Sequence, residues 1–127
     1  MGVILRLHAV VAEVRDQPEA AGALLLRHLH RRRRHRAEVL YETDEVIVFR
    51  NRLRWVPVML LAAPKRHQTQ AELWENLGAV AAAAVKVARE QCPGGFRLIS
   101  NFGYDGMQSQ DHAHVHILGG MFLGEYA

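Results

Sequence analysis

Hydrophobic and polar positions change period several times along this chain, and each change predicts an element. Residues 3–14 (VILRLHAVVAEV) are apolar and β-branched and fit either a strand or part of a helix. Asp16 suits a helix N-cap, Pro18 the first turn, and Glu19 stands three residues after the aspartate as in a capping box. The helix opened there is expected to run through EAAGALLL into a run of arginines, which complement a helix C-terminus. Residues 38–42 (EVLYE) and 45–50 (EVIVFR) flank Thr43-Asp44 and read as a β-hairpin. Residues 57–64 (PVMLLAAP) read as a buried strand bounded by prolines. Thr69 and Glu72 form a second capping box. It is expected to open one long helix over about residues 70–91. Leu73, Leu77, Val80, Ala81, Ala84, Val87 and Ala88 make its apolar stripe, and the alanines imply close packing on a sheet. Cys92-Pro93-Gly94-Gly95 ends this helix, and residues 96–100 (FRLIS) read as a strand.

A glycine-containing loop over residues 101–110 then leads to the most unusual pattern in the chain, DHAHVHILGG at 111–120. In a strand, alternate side chains share a face. His112, His114 and His116 are therefore expected on one face, roughly 6–7 Å apart at each step, with Ala113, Val115 and Ile117 on the other. The whole order predicts an α+β fold: an antiparallel sheet of about five strands, one long helix and an N-terminal helix. Residues 1–37 read as an N-terminal strand/helix extension with an arginine-rich end, and residues 38–127 as the core of a single domain.

Composition changes this picture in two places. Residues 27–36 (RHLHRRRRHR) hold six arginines and no acid, and without them the net charge would fall from +3 to −3. The basic character is one local cluster on a mildly acidic domain. It reads as a solvated helix end, with a phosphate-rich partner such as RNA as the sharper alternative. The cluster has no aromatic side chain for base stacking, which counts against nucleic acid. The single cysteine, Cys92, rules out an internal disulfide and fits a reducing, cytoplasmic setting. No apolar run is long enough to span a bilayer, and residues 1–7 lack the basic start and cleavage site of a signal peptide.

Imidazole changes protonation near neutral pH, so three in a row can divide the roles of nucleophile, acid and orienting group. The preceding loop, GYDGMQS at 103–109, can present backbone N–H groups and the Ser109 hydroxyl to an anion. Donors and histidines around one anion suggest phosphoryl or nucleotidyl transfer. A metal reading with His112 and His114 as ligands stays open beside it.

The run HAHVHIL at 112–118 resembles the His-φ-His-φ-His-φ-φ signature of the histidine triad (HIT) superfamily, where φ is apolar. Asn101 to His112 looks like the Hint branch, the purine nucleoside phosphoramidases, and the likeness extends over about residues 38–120. The resemblance implies that His114 is a nucleophile toward the α-phosphorus of a nucleotide, forming a nucleotidyl-histidine that water resolves. It implies supporting roles for His112 and His116, which orient His114 and contact the phosphate or leaving group. It further implies phosphate contacts from Asn101, Ser109 and the loop at Met107 and Gln108, and a ribose contact from Asn51. No metal or cofactor is implied. The implied partners are a purine nucleotide or nucleoside phosphoramidate and a second copy of the chain in a homodimer.

Three positions depart from the family pattern. Met107 stands for a glycine, Met59 for a fourth histidine behind the triad, and Arg52 for an apolar residue facing the base. They leave open a second reading, a nucleotide-binding module with little or no catalysis.

Overall fold

The computed structural model describes residues 38–125, so the expected N-terminal strand, helix and arginine cluster lie outside the described residues. The elements are β1 (Val39–Glu42), β2 (Val46–Arg50), β3 (Val58–Pro64), α1 (Gln70–Glu75), α2 (Gly78–Gln91), β4 (Phe96–Ile99) and β5 (Val115–Gly119). The five strands form one sheet in the order β1-β2-β3-β5-β4, with every pairing antiparallel. The α+β architecture expected from the pattern is the one observed.

The β1–β2 hairpin closes where it was expected. The Thr43 hydroxyl accepts hydrogen bonds from the backbone N–H groups of Glu45 and Val46, and the Thr43 N–H donates to the Val46 carbonyl. A short hydroxyl side chain near the backbone favours such a turn over continued extension. β3 is the central strand and is buried from Met59 to Pro64.

The alternation of strand side chains divides the sheet into two faces. Val46, Val48, Leu60, Ala62, Val115 and Ile117 face the helices and pack with Leu73, Val80, Ala83, Ala84, Val87 and Ala88. Fully burying a valine, leucine or isoleucine side chain stabilises by about 1.5–3 kcal/mol, so this face is a major source of the fold's stability. The small side chains at 83, 84 and 88 let α2 lie close to the strands, as its alanine-rich centre implied. Ala83, absent from the expected stripe, is more buried than Ala81. The opposite face carries Leu61 and Ile99 on either side of His116, and Met59 and Arg97 on either side of Leu118.

The expected single helix over residues 70–91 is two helices. Asn76 leaves helical geometry at φ −148° and ψ 71°, and its N–H turns back to the Leu73 carbonyl, three residues earlier. Gly78 opens α2 two residues later. Asparagine and glycine are both weak helix formers, so the Asn76-Leu77-Gly78 step breaks the axis although the apolar stripe continues across it. At the other end Cys92 is buried against the last residue of β5. A Cβ on Gly119 would sit 2.5 Å from its Sγ, so only glycine fits there.

Candidate functional site

The site is built where β5 begins. The ladder between β3 and β5 starts at Ala62 and Val115. Before that point the chain pairs with the segment entering α1: the Ala113 N–H donates to the Gln68 carbonyl at 2.8 Å, and the His114 N–H to Gln70 Oε1 at 3.1 Å. Of the three histidines expected on one strand only His116 lies in β5, Val115–Gly119, and His112 and His114 lie in its lead-in. The alternation of side chains survives, since Ala113 packs in the core with Val115 and Ile117.

The three imidazoles are not equivalent. His114 Nδ1 lies 2.8 Å from the His112 carbonyl oxygen. A carbonyl can only accept, so this nitrogen carries the proton and Nε2 keeps its lone pair. The His116 ring stands nearly perpendicular to that of His114, with centroids 5.0 Å apart. His112 is fully buried and turned away from this pair. Its Nε2 donates to the Pro64 carbonyl at 2.7 Å, and its ring lies 5.5 Å from that of His67. The sequence reading has His112 orienting His114 through its side chain, whereas the group on His114 Nδ1 is the His112 main-chain carbonyl.

Burial pushes all three imidazoles toward the neutral form. It takes His112 down to about 4 against the opposing pull of the Pro64 carbonyl, with repulsion from His67 and His114 adding to it. It takes His116 down to about 4 together with repulsion from His114. His114 moves the same way for the same reason, opposed by its bond to His112. Near pH 7 the site holds neutral imidazoles, the form in which His114 Nε2 can attack an electrophile.

The loop over residues 101–110 is closed on itself. Asn101 Nδ2 donates to the Gly106 carbonyl at 2.6 Å. Gln108 Oε1 accepts from the Gly103 N–H, its Nε2 donates to the Gln110 carbonyl, and its own N–H donates to the Gly103 carbonyl. Ser109 is exposed at the end of this loop. Met107 sits at φ +63°, the one described non-glycine residue in the left-handed region, with its side chain largely in solvent. For an L-residue that conformation costs roughly 1–2 kcal/mol. Met107→Gly should therefore leave the thermal unfolding temperature unchanged or higher. At a site of negative φ, by contrast, a new glycine typically lowers stability by about 0.4–1 kcal/mol. A clear fall in melting temperature would contradict the strained geometry.

Asn51 and Arg52 lie just past β2. Asn51 is buried; its N–H donates to the Met59 carbonyl and its Oδ1 accepts from the Leu53 N–H at 3.0 Å, so it shapes its own turn. Arg52 is exposed. Met59 is buried, and its sulfur accepts from the Trp55 N–H at 3.1 Å. The thioether thus holds the turn between β2 and β3 on the same sheet face as His116, where an imidazole would supply a further titrating group.

Two residues that sequence reasoning passed over hold the backbone of His114 from both sides. The Gln70 amide accepts from its N–H, and the Ser100 hydroxyl donates to its carbonyl at 2.8 Å. Gln70 is buried although it is the first residue of a helix, where polar side chains usually meet water. A glutamine directly after the Thr69 cap and a serine ending a β-strand were the only signals.

These features describe a neutral imidazole with one free lone pair, tied through Gln70 to a tightly turned loop. Among the described residues, no three histidine, cysteine or carboxylate side chains come together as a metal site. The family model for the HIT domain matches residues 32–123. A 14 kDa zinc-binding protein from Brassica juncea is 36% identical over 90 residues, which is 65% of this chain and 80% of that one. Among solved structures, a histidine triad protein from Clostridium difficile superposes with a TM-score of 0.65 at 30% identity, covering 72% of this chain and 86% of that one. A HIT family hydrolase from Clostridium thermocellum does so with a TM-score of 0.64 at 30% identity, covering 75% and 89%.

Proposed function

Because the chain belongs to the HIT domain family, we propose that it is a hydrolase or nucleotidyl transferase acting at the α-phosphate of a nucleoside phosphoramidate or related nucleotide. The observation that carries this reading is the tautomer of His114: Nδ1–H is engaged by the His112 carbonyl, so Nε2 presents its lone pair. His114 Nε2 attacks the α-phosphorus and forms a P–N bond. The leaving amine departs with the electrons of the old P–N bond and takes up a proton from solvent. Water then cleaves the nucleotidyl-histidine, releasing a nucleoside monophosphate and restoring neutral His114. Asn101, Gln108 and the Met107–Ser109 backbone shape the loop that receives the phosphate, and His116 stands beside the reacting nitrogen. Asn51 and Arg52 are assigned to the ribose and base end of the same ligand.

The test is turnover of adenosine and guanosine 5′-phosphoramidates by the purified protein, and wild-type protein that leaves both intact would refute the reading. Binding of a purine mononucleotide without turnover would favour the second reading, a binding module. That reading is motivated by Met59 in place of a titrating side chain and by Met107 in the loop. The Brassica juncea relative is named for zinc, and stoichiometric zinc in untagged protein would favour a metal role for His112 and His114 instead.

The reading includes a homodimer. Among the described residues, β4 is an edge strand with one unpaired side. Beside it runs a groove of about 710 Å³ lined by Cys92, Phe96, Arg97, Met121 and Phe122, and Phe122 is 92% exposed. Open edges and exposed apolar side chains favour pairing with a second chain. The expected solution mass is twice 14.4 kDa, and a monomeric mass by light scattering would contradict the dimer. A single buried, unpaired cysteine is in keeping with the reducing, cytoplasmic setting assigned to the chain. Among the described residues, no helix is long and apolar enough to cross a membrane.

A further inference from the structure

We infer that Gln70 is a positioning residue for the reaction: its side-chain amide ties the backbone of His114 to that of Asn101, and so sets the nucleophile against the phosphate loop. The inference rests on the reading of His114 as the nucleophile. Gln70 Oε1 accepts from the His114 N–H at 3.1 Å, and Nε2 donates to the Asn101 carbonyl at 3.3 Å. Asn101 in turn holds the loop through Gly106. One buried amide therefore links the two halves of the site, which are thirteen residues apart in the chain and share no ladder hydrogen bond at these positions.

A primary amide can serve both contacts at once and stays neutral at every pH, because it offers an acceptor and a donor at fixed separation. The position of Gln70 is itself secured. The Thr69–Glu72 capping box fixes the first turn of α1, and Leu73 anchors the helix in the core. Relative displacements of about 1 Å between reacting groups can cost 100-fold in rate, so this link has leverage without touching substrate.

The test compares Gln70→Leu and Gln70→Glu with wild type, recording kcat, KM and thermal unfolding across pH. Gln70→Leu keeps the bulk and loses both hydrogen bonds. Its kcat should fall about 10- to 100-fold at every pH, with KM changing far less, because orientation rather than binding is lost. In Gln70→Glu the protonated carboxyl can still accept from His114 and donate to Asn101, whereas the ionised form cannot donate. The titratable groups around it are His112, His114 and His116 on the β5 segment and His67 on the segment entering α1, all equally present in wild type. The ratio of Gln70→Glu to wild-type kcat should therefore be highest at the acid end and fall as pH rises, and the Gln70→Leu ratio should stay flat.

Wild-type kcat in Gln70→Leu would overturn the inference. So would a Gln70→Glu ratio independent of pH, since a residue that merely stabilises α1 would lower the melting temperature without a pH-dependent rescue. His114→Ala separates the two levels: if that variant keeps full activity, the reading of His114 fails first, and if it is inactive while Gln70→Leu is normal, only the role of Gln70 fails.

Discussion

His114→Ala should lose roughly four orders of magnitude or more of turnover on a nucleoside phosphoramidate, because it deletes the Nε2 lone pair proposed to form the covalent intermediate. The structure makes the comparison with His112→Ala the informative one. The sequence reading gives His112 a supporting role, orienting His114 and contacting the phosphate or leaving group. Here the group that orients His114 is the carbonyl of residue 112, which any residue supplies. His112→Ala removes a buried ring and its bond to Pro64, so it should lower stability, yet it leaves the hydrogen bond to His114 Nδ1 in place. Its loss of kcat in folded protein should be far smaller than that of His114→Ala. Steady-state rates and melting temperatures of the two variants decide this. Unchanged turnover in His114→Ala would end the nucleophile assignment. A well-folded His112→Ala as inactive as His114→Ala would end the claim that the main chain does the orienting.

Acidification from pH 6.5 toward 4 should destabilise the fold well before most carboxylates titrate. His112 is fully buried, and its folded-state value lies near 4 against an ordinary 6.5. A base with a depressed value binds protons more readily in the unfolded chain, so its contribution is complete above 6.5 and declines as pH falls toward 4. At 1.36 kcal/mol per unit, the part due to His112 is about 3 kcal/mol by the bottom of that window. His114 and His116 shift in the same direction and add to the effect. Urea midpoints should drop steadily across this range, and the slope should flatten in His112→Gln. A midpoint unchanged between pH 6.5 and 4 would mean that His112 is not held neutral. Glu72, held below its usual range by the Thr69 cap, acts in the same direction but at lower pH.

Activity should follow a related but separate curve. Protonation of His114 removes the attacking lone pair, so the acid limb of kcat/KM should lie below the ordinary imidazole value, and activity should be level through neutrality.

Much of the fold was legible because its signals are local. Thr43-Asp44 announced the first hairpin and the Thr69–Glu72 pair the start of a helix, and alternation announced which residues around the histidines would be buried. The error over residues 70–91 came from trusting the apolar stripe. The period runs on through Asn76-Leu77-Gly78, while the backbone there does not. The placement of His112 and His114 outside β5 has a different reason. A run of alternating residues shows that side chains alternate, but a strand needs a partner, and opposite His112 and His114 the neighbour is the entry to α1 rather than β3.

The candidate site divides along the same line. Residue identity and spacing by themselves determined that the three histidines alternate with buried apolar residues and follow a glycine-containing loop, because strand alternation and turn propensity act over a few residues. Only the tertiary structure decided which imidazole nitrogen is free, that a carbonyl rather than a side chain orients His114, and that Gln70 and Ser100 hold its backbone. Those contacts join residues as many as 44 positions apart. The neutrality of the histidines likewise depends on burial, which is a property of the packed sheet and helices and not of any short stretch of chain.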